Sequence, residues 1–503
     1  MRKLLGFKAR PVLTALPVFG LLMGLGQVAN AAEVTRVASS FDQELNGNAF
    51  DLHFGVSYGF DFKKAAILRE WGTPSGQNQL ARDMIYRSFR HTVTPTLEIG
   101  LWHDISVYVA LPVIVSDNRN FEFDKEAGSD CVYPTPPPPD GTFQPGSATC
   151  VNKTNSTSIR DGIVPRDGFD ARDSGDPYGQ FSDPETKMIF RGPTRRGLDQ
   201  INVGMKIGIL SQERKSHLPN WVVGLEGRFA IAAPMSMSRA IQTSDPGGNH
   251  RVGRGIHELG VWTALSRRYR FLEPFFGAHW RYAMRANNTN FLDFGGSQTS
   301  ANPQSETGAY FGAEIVPWEK PAQHKKFSII LNGSALLHYG GRAYSEVWEV
   351  LADSPALIGS NSPGQGPACN AGPAVAYANA NPSDPSGYVD AANAAAGGNT
   401  CSAFNGITNV QDYGTFGLTA ALNFHMGPYA RLNFGVDMKT DTRHFLTTTS
   451  RGDGKASGDP NIVEPDSVDV NPVRRDVVDN VGRRYAIDDV LLLTGFANFI
   501  VTF

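Results

Sequence analysis

From residue 50 onward the chain repeatedly alternates apolar with polar or small residues, the period-two pattern of a strand with two unlike faces. The plainest run is 50 to 62, where Phe50, Leu52, Phe54, Val56, Tyr58, Phe60 and Phe62 share one face. Asp51, His53, Gly55, Ser57, Gly59 and Asp61 share the other. Similar runs lie at 84 to 102, 105 to 113, 201 to 209, 223 to 231, 255 to 266, 273 to 284, 305 to 317, 327 to 340, 413 to 424, 429 to 441 and 485 to 503. That makes twelve predicted strands, an even number, as a bacterial barrel with both ends on one side of the membrane requires.

The connections alternate in length all along the chain. Long links are predicted at 63 to 83, 116 to 197, 234 to 254, 285 to 304, 341 to 412 and 442 to 484, and short ones near 103, 211 to 219, 267 to 272, 318 to 326 and 425 to 428. Short periplasmic turns and long extracellular loops mark transmembrane barrels. A soluble β-sandwich would also alternate in polarity, so the connection lengths decide between the two. The expectation is an all-β, antiparallel, up-and-down transmembrane barrel in contact with outer-membrane lipid, with both termini periplasmic.

The first residues set the compartment. Arg2, Lys3, Lys8 and Arg10 precede an apolar stretch from Val12 to Leu25, and Ala29-Asn30-Ala31 forms a small-residue cleavage site; this is the layout of a secretory signal peptide. Residues 1 to 31 are then the leader, 32 to 49 a short periplasmic segment, and 50 to 503 a single barrel. Losing the four basic leader residues takes the formal charge from -3 to about -7, which speaks against a nucleic-acid partner. The 53 Gly and 32 Pro with only 19% charged residues suit strands and turns. Export permits disulfides, and the four cysteines fall into two local pairs, Cys131 with Cys150 and Cys369 with Cys401, inside the two longest loops. No Cys-x-x-Cys or Cys/His cluster suggests a metal site.

The last strand places Leu491, Leu493, Ala497, Phe499, Val501 and Phe503 on one face. In this it resembles the outer-membrane β-barrel superfamily, whose members commonly end in an aromatic-rich strand. The resemblance implies that Phe499, Val501 and Phe503 are read by the barrel-assembly machinery. The stretch Thr96-Leu97-Glu98-Ile99-Gly100-Leu101-Trp102-His103-Asp104-Ile105-Ser106-Val107, continued to Leu111-Pro112, is similar to porin-like proteins of the family associated with the MetA pathway of phenol degradation, which implies passage of small, often aromatic compounds. Fatty-acid transporters plug their barrels with an N-terminal hatch; here residues 33 to 49 leave little chain for a full one.

If the apolar faces meet lipid, the opposite faces line the lumen. They carry Asp51, His53, Asp61, Glu98, Lys206, Glu226, Arg228, Glu258, His279, Arg281, Glu314, His338, Arg431, Asp437 and Lys439. A mixed-sign lining serves either as a selectivity surface for polar solutes or as an ion-paired filling, and twelve strands lie between side-chain-filled and water-filled barrels. No nucleophile, base and orienter are evident: Gly-x-Ser-x-Gly and His-Glu-x-x-His are absent, and the outward His257 lacks the Ser-Asn partners of outer-membrane phospholipases. No enzyme and no cofactor are expected. The Asp-rich stretches 166 to 185 and 451 to 470 could hold Ca²⁺ through carboxylates, although the EF-hand spacing is missing. Two functions fit: an outer-membrane channel for passive passage of small solutes, or a structural barrel with a closed lumen whose loops bind a partner.

Overall fold

A computed structural model describes residues 35–40, 51–72, 78–124, 151, 156–164, 169–170, 188–212, 214–238, 250–360, 369–381, 384, 387–398, 400–454, 458–459, 461–464 and 468–503. Twelve strands close into one antiparallel barrel. They are β1 Leu52–Gly72, β2 Asn78–Trp102, and β3, which runs as Ile105–Ala110 and, past Pro112, as Val113–Phe123. Next come β4 Gln200–Leu210, β5 Asn220–Ala230, β6 Ile256–Ser266, β7 Leu272–Arg285 and β8 Ser305–Lys320. The last four are β9 Lys325–Tyr339, β10 Tyr413–Met426, β11 Ala430–Asp441 and β12 Tyr485–Thr502. Each strand pairs with the next, and β12 returns to β1 from His53↔Thr502 to Arg69↔Tyr485, which leaves the barrel without a free edge.

All twelve predicted strands are present, but three boundaries differ from expectation. The predicted link 63 to 83 is mostly strand, because β1 and β2 stay paired up to Gly72↔Asn78. The alternation breaks there because, above the belt, Ala65 to Glu70 are buried on both faces. β3 runs to Phe123, eight residues into the predicted 116 to 197 loop, and short pieces Met188–Arg191 and Arg195–Leu198 pair with it. The predicted cysteine loop 341 to 412 holds helices Ala371–Ala380 and Tyr388–Ala396. Those helices are rich in alanine, the strongest helix former. Cys369 and Cys401 are bonded across them, whereas Cys131 and Cys150 lie outside the described residues.

The outward faces carry the apolar residues. Phe54, Leu97, Leu225, Leu259, Phe276, Phe311, Leu331, Leu418, Phe434 and Phe499 are all between about 39 and 50% exposed, so this belt has no partner among the described residues and must meet an apolar surrounding. Aromatic residues flank it at the short-turn end, among them Trp102, Trp221, Trp318, Tyr429 and Phe503, as in membrane barrels. No helix among the described residues is long and apolar enough to cross a membrane; the strands cross it.

Inside, large side chains lie over glycines of the neighbouring strand. Tyr108 faces Gly204, Trp262 faces Gly224, Tyr310 faces Gly277 and Phe496 faces Gly435 in the ladders. A β-carbon at Gly224 would come within 2.0 Å of the Trp262 ring, and one at Gly277 within 2.1 Å of Tyr310. The absent side chain is what lets each ring lie flat against the wall.

Candidate functional site

The lumen has two zones along its length. Near the short turns and at mid-height the inward residues are polar; above, on Ala65, Ile67, Met84, Tyr86, Phe121, Phe123 and Ile487, they become apolar.

All fifteen predicted lumen residues sit on inward positions or at the short-turn mouth, and the structure joins most of them in ion pairs. Lys206 Nζ is 2.7 Å from Glu98 Oε2. His53 lies 2.9 Å from Asp51 and 3.9 Å from Glu98. Arg228 Nε is 2.6 Å from Glu226, its Nη1 is 3.3 Å from Glu258, and Tyr108 donates its hydroxyl to Glu226 at 2.7 Å. Lys439 pairs with Asp437 at 2.8 Å. Glu314 pairs with Lys326 at 2.7 Å. Arg281 and His279 converge on Glu306 at 3.2 and 2.9 Å, and His338 approaches it at 3.7 Å. Asp61 accepts from the Thr494 hydroxyl at 2.7 Å, and Arg431 donates to Thr502 at 3.2 Å.

The pairing partners include residues the sequence reading passed over. Glu306 and Asp441 share the parity of the named positions on predicted strands, so counting every inward charge on those strands finds them, whereas Lys326 falls in the predicted 318 to 326 link. Lys63 has no such signal, because the alternation ends at Phe62.

The short-turn mouth is occupied by the chain's own N-terminal segment. Thr35 to Ser40, expected to lie in the periplasm ahead of the barrel, are inside it, with Ala38, Ser39 and Ser40 buried. The Thr35 and Ser266 hydroxyls bond at 2.9 Å, Ala38 N–H donates to Glu98 at 3.3 Å, and the Ser40 hydroxyl donates to the Gly100 carbonyl at 2.6 Å. Gly100 makes room for this crossing: a β-carbon there would lie 2.8 Å from Ser40 N.

The long-loop end is closed differently. Val151, Ile163 and Val164 from one loop, Met235 and Met237 from the next, and Val347 to Leu351, Phe404 and Ile407 from a third pack with the apolar upper wall into a single core. Polar contacts fix these loops to the wall. Lys63 Nζ lies 2.7 Å from Glu346 of the loop and 3.0 Å from Asp441 of β11. Arg195 Nε lies 2.6 Å from Glu349, both side chains being at most 1% exposed. The same guanidinium donates to the Arg251 and Ser236 carbonyls and lies 4.9 Å above the Trp348 ring. Asp83 accepts from Ser156 at 3.2 Å and from Ser158. Among the described residues no group of three or more His, Cys, Asp or Glu is placed to hold a metal ion, and most of 166 to 185 lies outside them.

Neither a protein-family profile nor a curated protein sequence matches the chain. Among solved structures, an outer membrane channel from Pseudomonas putida F1 aligns over 89% of this chain and 96% of its own, at 6% identity and a TM-score of 0.35. A FadL homologue from Pseudomonas aeruginosa aligns over 97% and 98% at 8% identity and a TM-score of 0.29. The translocator domain of the autotransporter NalP from Neisseria meningitidis aligns over 92% and 91% at 5% identity and a TM-score of 0.30. The chain itself is a closed twelve-stranded antiparallel β-barrel of the membrane-spanning type, by its hoop of paired strands and its exposed apolar belt.

Proposed function

We propose that the protein is a channel for passive passage of small solutes across the outer membrane, held shut at its long-loop end in the conformation described here. One observation carries the reading: that end is closed by loop segments docked onto the wall through side chains, not by the wall itself. A twelve-stranded hoop is wider than the eight-stranded barrels that side chains alone can fill, so displacing the docked loops at one end and the Thr35 to Ser40 segment at the other would uncover a passage. The Asn332 amide and Ser334 hydroxyl on the inward face of β9 are buried without a hydrogen-bond partner among the described residues, which suits polar contacts supplied by something other than the chain. In this reading the short turns and both termini face the periplasm, residues 1 to 31 are removed on export, Cys131 and Cys150 pair like the other two, and Phe499, Val501 and Phe503 present the terminal strand to the assembly machinery. No catalytic step or cofactor is involved.

A closed structural barrel whose loops bind a partner is the second reading, favoured by the extent of ion pairing in the lumen. Planar-bilayer recording separates them. The expected result is sparse current from the intact protein and steady current from a Lys63→Gln/Glu349→Gln variant that also lacks residues 35 to 40, altered further by Glu226→Gln or Arg281→Gln. Silence from both the intact and the unlatched protein would remove the channel reading and leave the partner-binding one.

A further inference from the structure

The connections joining β4 to β5, β6 to β7 and β8 to β9 are neighbours around one half of the short-turn rim. The first carries Arg214 and Lys215, the second Arg267, Arg268 and Arg270, and the third is flanked by Lys320 and Lys325. Against these seven basic residues stand two acidic ones, Glu213 and Glu319. The other two short connections, His103-Asp104 and Gly427-Pro428-Tyr429, contain no Lys or Arg. The basic residues of the short turns are therefore confined to one half of the rim.

Large aromatic residues are interleaved with it. Tyr269 is 53% exposed, Phe271 62% and Trp318 45%. The Arg267 guanidinium lies 5.1 Å over the Tyr269 ring and Lys320 Nζ 5.7 Å over Trp318. Arg214 and Arg268 already have carboxylates, Asp104 at 3.0 Å and Glu319 at 2.8 Å; Lys215, Arg270 and Lys325 are exposed to solvent. Directly above this rim begins the apolar belt, with Trp221, Leu265 and Leu272 on its lowest course.

We infer that this half of the rim binds the phosphate of anionic phospholipids, with the acyl chains lying on the belt above. Several cations within a Debye length of one another attract an anionic headgroup layer, and amphipathic rings settle at the same depth, where one edge meets water and the rest meets hydrocarbon. An acidic protein would be held by charge alone and would leave Phe271 and Trp318 without a role. Free phosphate has no use for the belt. The site is independent of whether the lumen conducts.

Native mass spectrometry of the mature barrel in a zwitterionic detergent, titrated with phosphatidylglycerol, phosphatidylcholine or soluble polyglutamate, tests the inference. The intact protein should retain phosphatidylglycerol in preference to phosphatidylcholine. A Lys215→Gln/Arg270→Asn/Lys325→Gln variant should weaken that retention at least about tenfold, since each basic side chain near an anionic surface contributes several-fold. Asn accepts the left-handed backbone that Arg270 adopts at φ 58°, and Lys215→Gln alone serves as a second variant should the triple one fold poorly. Equal retention of the two lipids, or undiminished retention by both variants, overturns the inference. Tighter binding of polyglutamate than of phosphatidylglycerol overturns it in favour of an acidic protein partner.

Discussion

Tyr108 stands opposite Gly204 across the β3–β4 ladder, and its ring fills the space a β-carbon on Gly204 would need, 2.2 Å from the nearest ring atom. The same arrangement at Trp262 over Gly224 and Tyr310 over Gly277 makes these glycines part of the packing rather than points of flexibility. Gly224→Ala should therefore cost about 1 to 3 kcal/mol through overpacking, read as a lower denaturant midpoint for the refolded barrel. Gly59→Ala has nothing within 4 Å of its new methyl group and should leave the midpoint unchanged. Equal effects from the two would show that the ring contacts do not matter.

Glu349→Gln should undock the long loops while sparing the barrel. It leaves the Arg195 guanidinium buried without its carboxylate, and breaking a buried pair from one side typically costs about 3 to 5 kcal/mol. Hydrogen exchange at Val347 to Leu351 should rise sharply, with β5 to β11 unaffected. Unchanged exchange at those amides would mean that the apolar core alone holds the loop.

Acid should tighten the 442 to 484 loop. Burial pushes the Asp479 carboxyl up to about 6, against the pull of the Arg475 and Thr449 backbone donors. A carboxyl whose folded value lies above its ordinary 3.8 binds its proton more tightly when folded. The stabilisation is complete below that ordinary value and is lost as pH rises through about 6. Two units correspond to about 3 kcal/mol. Proteolysis within 442 to 484 should be slower at pH 5 than at pH 7.5 with a protease active at both, and Asp479→Asn should flatten the difference. A steeper rate at pH 5 would contradict this.

Cys401→Ser should loosen the helical cap without affecting β1 to β12. The bond spans 32 residues, and closing a loop of that size stabilises by roughly 3 to 4 kcal/mol in the chain-entropy account. Loss of helical circular dichroism together with unchanged barrel melting is the expected pair of results. If the helices survive, the small core of Ala374, Ala378, Tyr388 and Ala392 suffices on its own.

The barrel was legible because a membrane strand has no choice: one face must be apolar, the pleat repeats every two residues, and so the parity of Phe54, Val56 and Tyr58 names the lumen side as well as the lipid side. Beyond the belt that constraint ends. Ala65 to Glu70 are buried on both faces by loops and by a neighbouring strand, so β1 ran ten residues past where alternation stopped. The docked loops carry no period at all. Glu346 finds Lys63 across 283 residues, a pairing set by tertiary packing that no local pattern announces. Thr35 to Ser40 illustrate the same limit, since four of those six residues bury small side chains with nothing in their order to show what would cover them.

The inward ion pairs also bear on how the barrel finds its alignment during assembly. Glu98 meets Lys206 two strands away, Arg228 meets Glu258 on the next strand, and Glu314 meets Lys326 across a single turn. If any one strand slid by a single residue against its neighbours, its charges would turn outward into hydrocarbon, at about 2 to 4 kcal/mol for a basic residue at mid-membrane, while its aromatics would turn inward among carboxylates. The lumen charges thus act as a proofreading key, accepting one alignment of twelve strands and rejecting its neighbours.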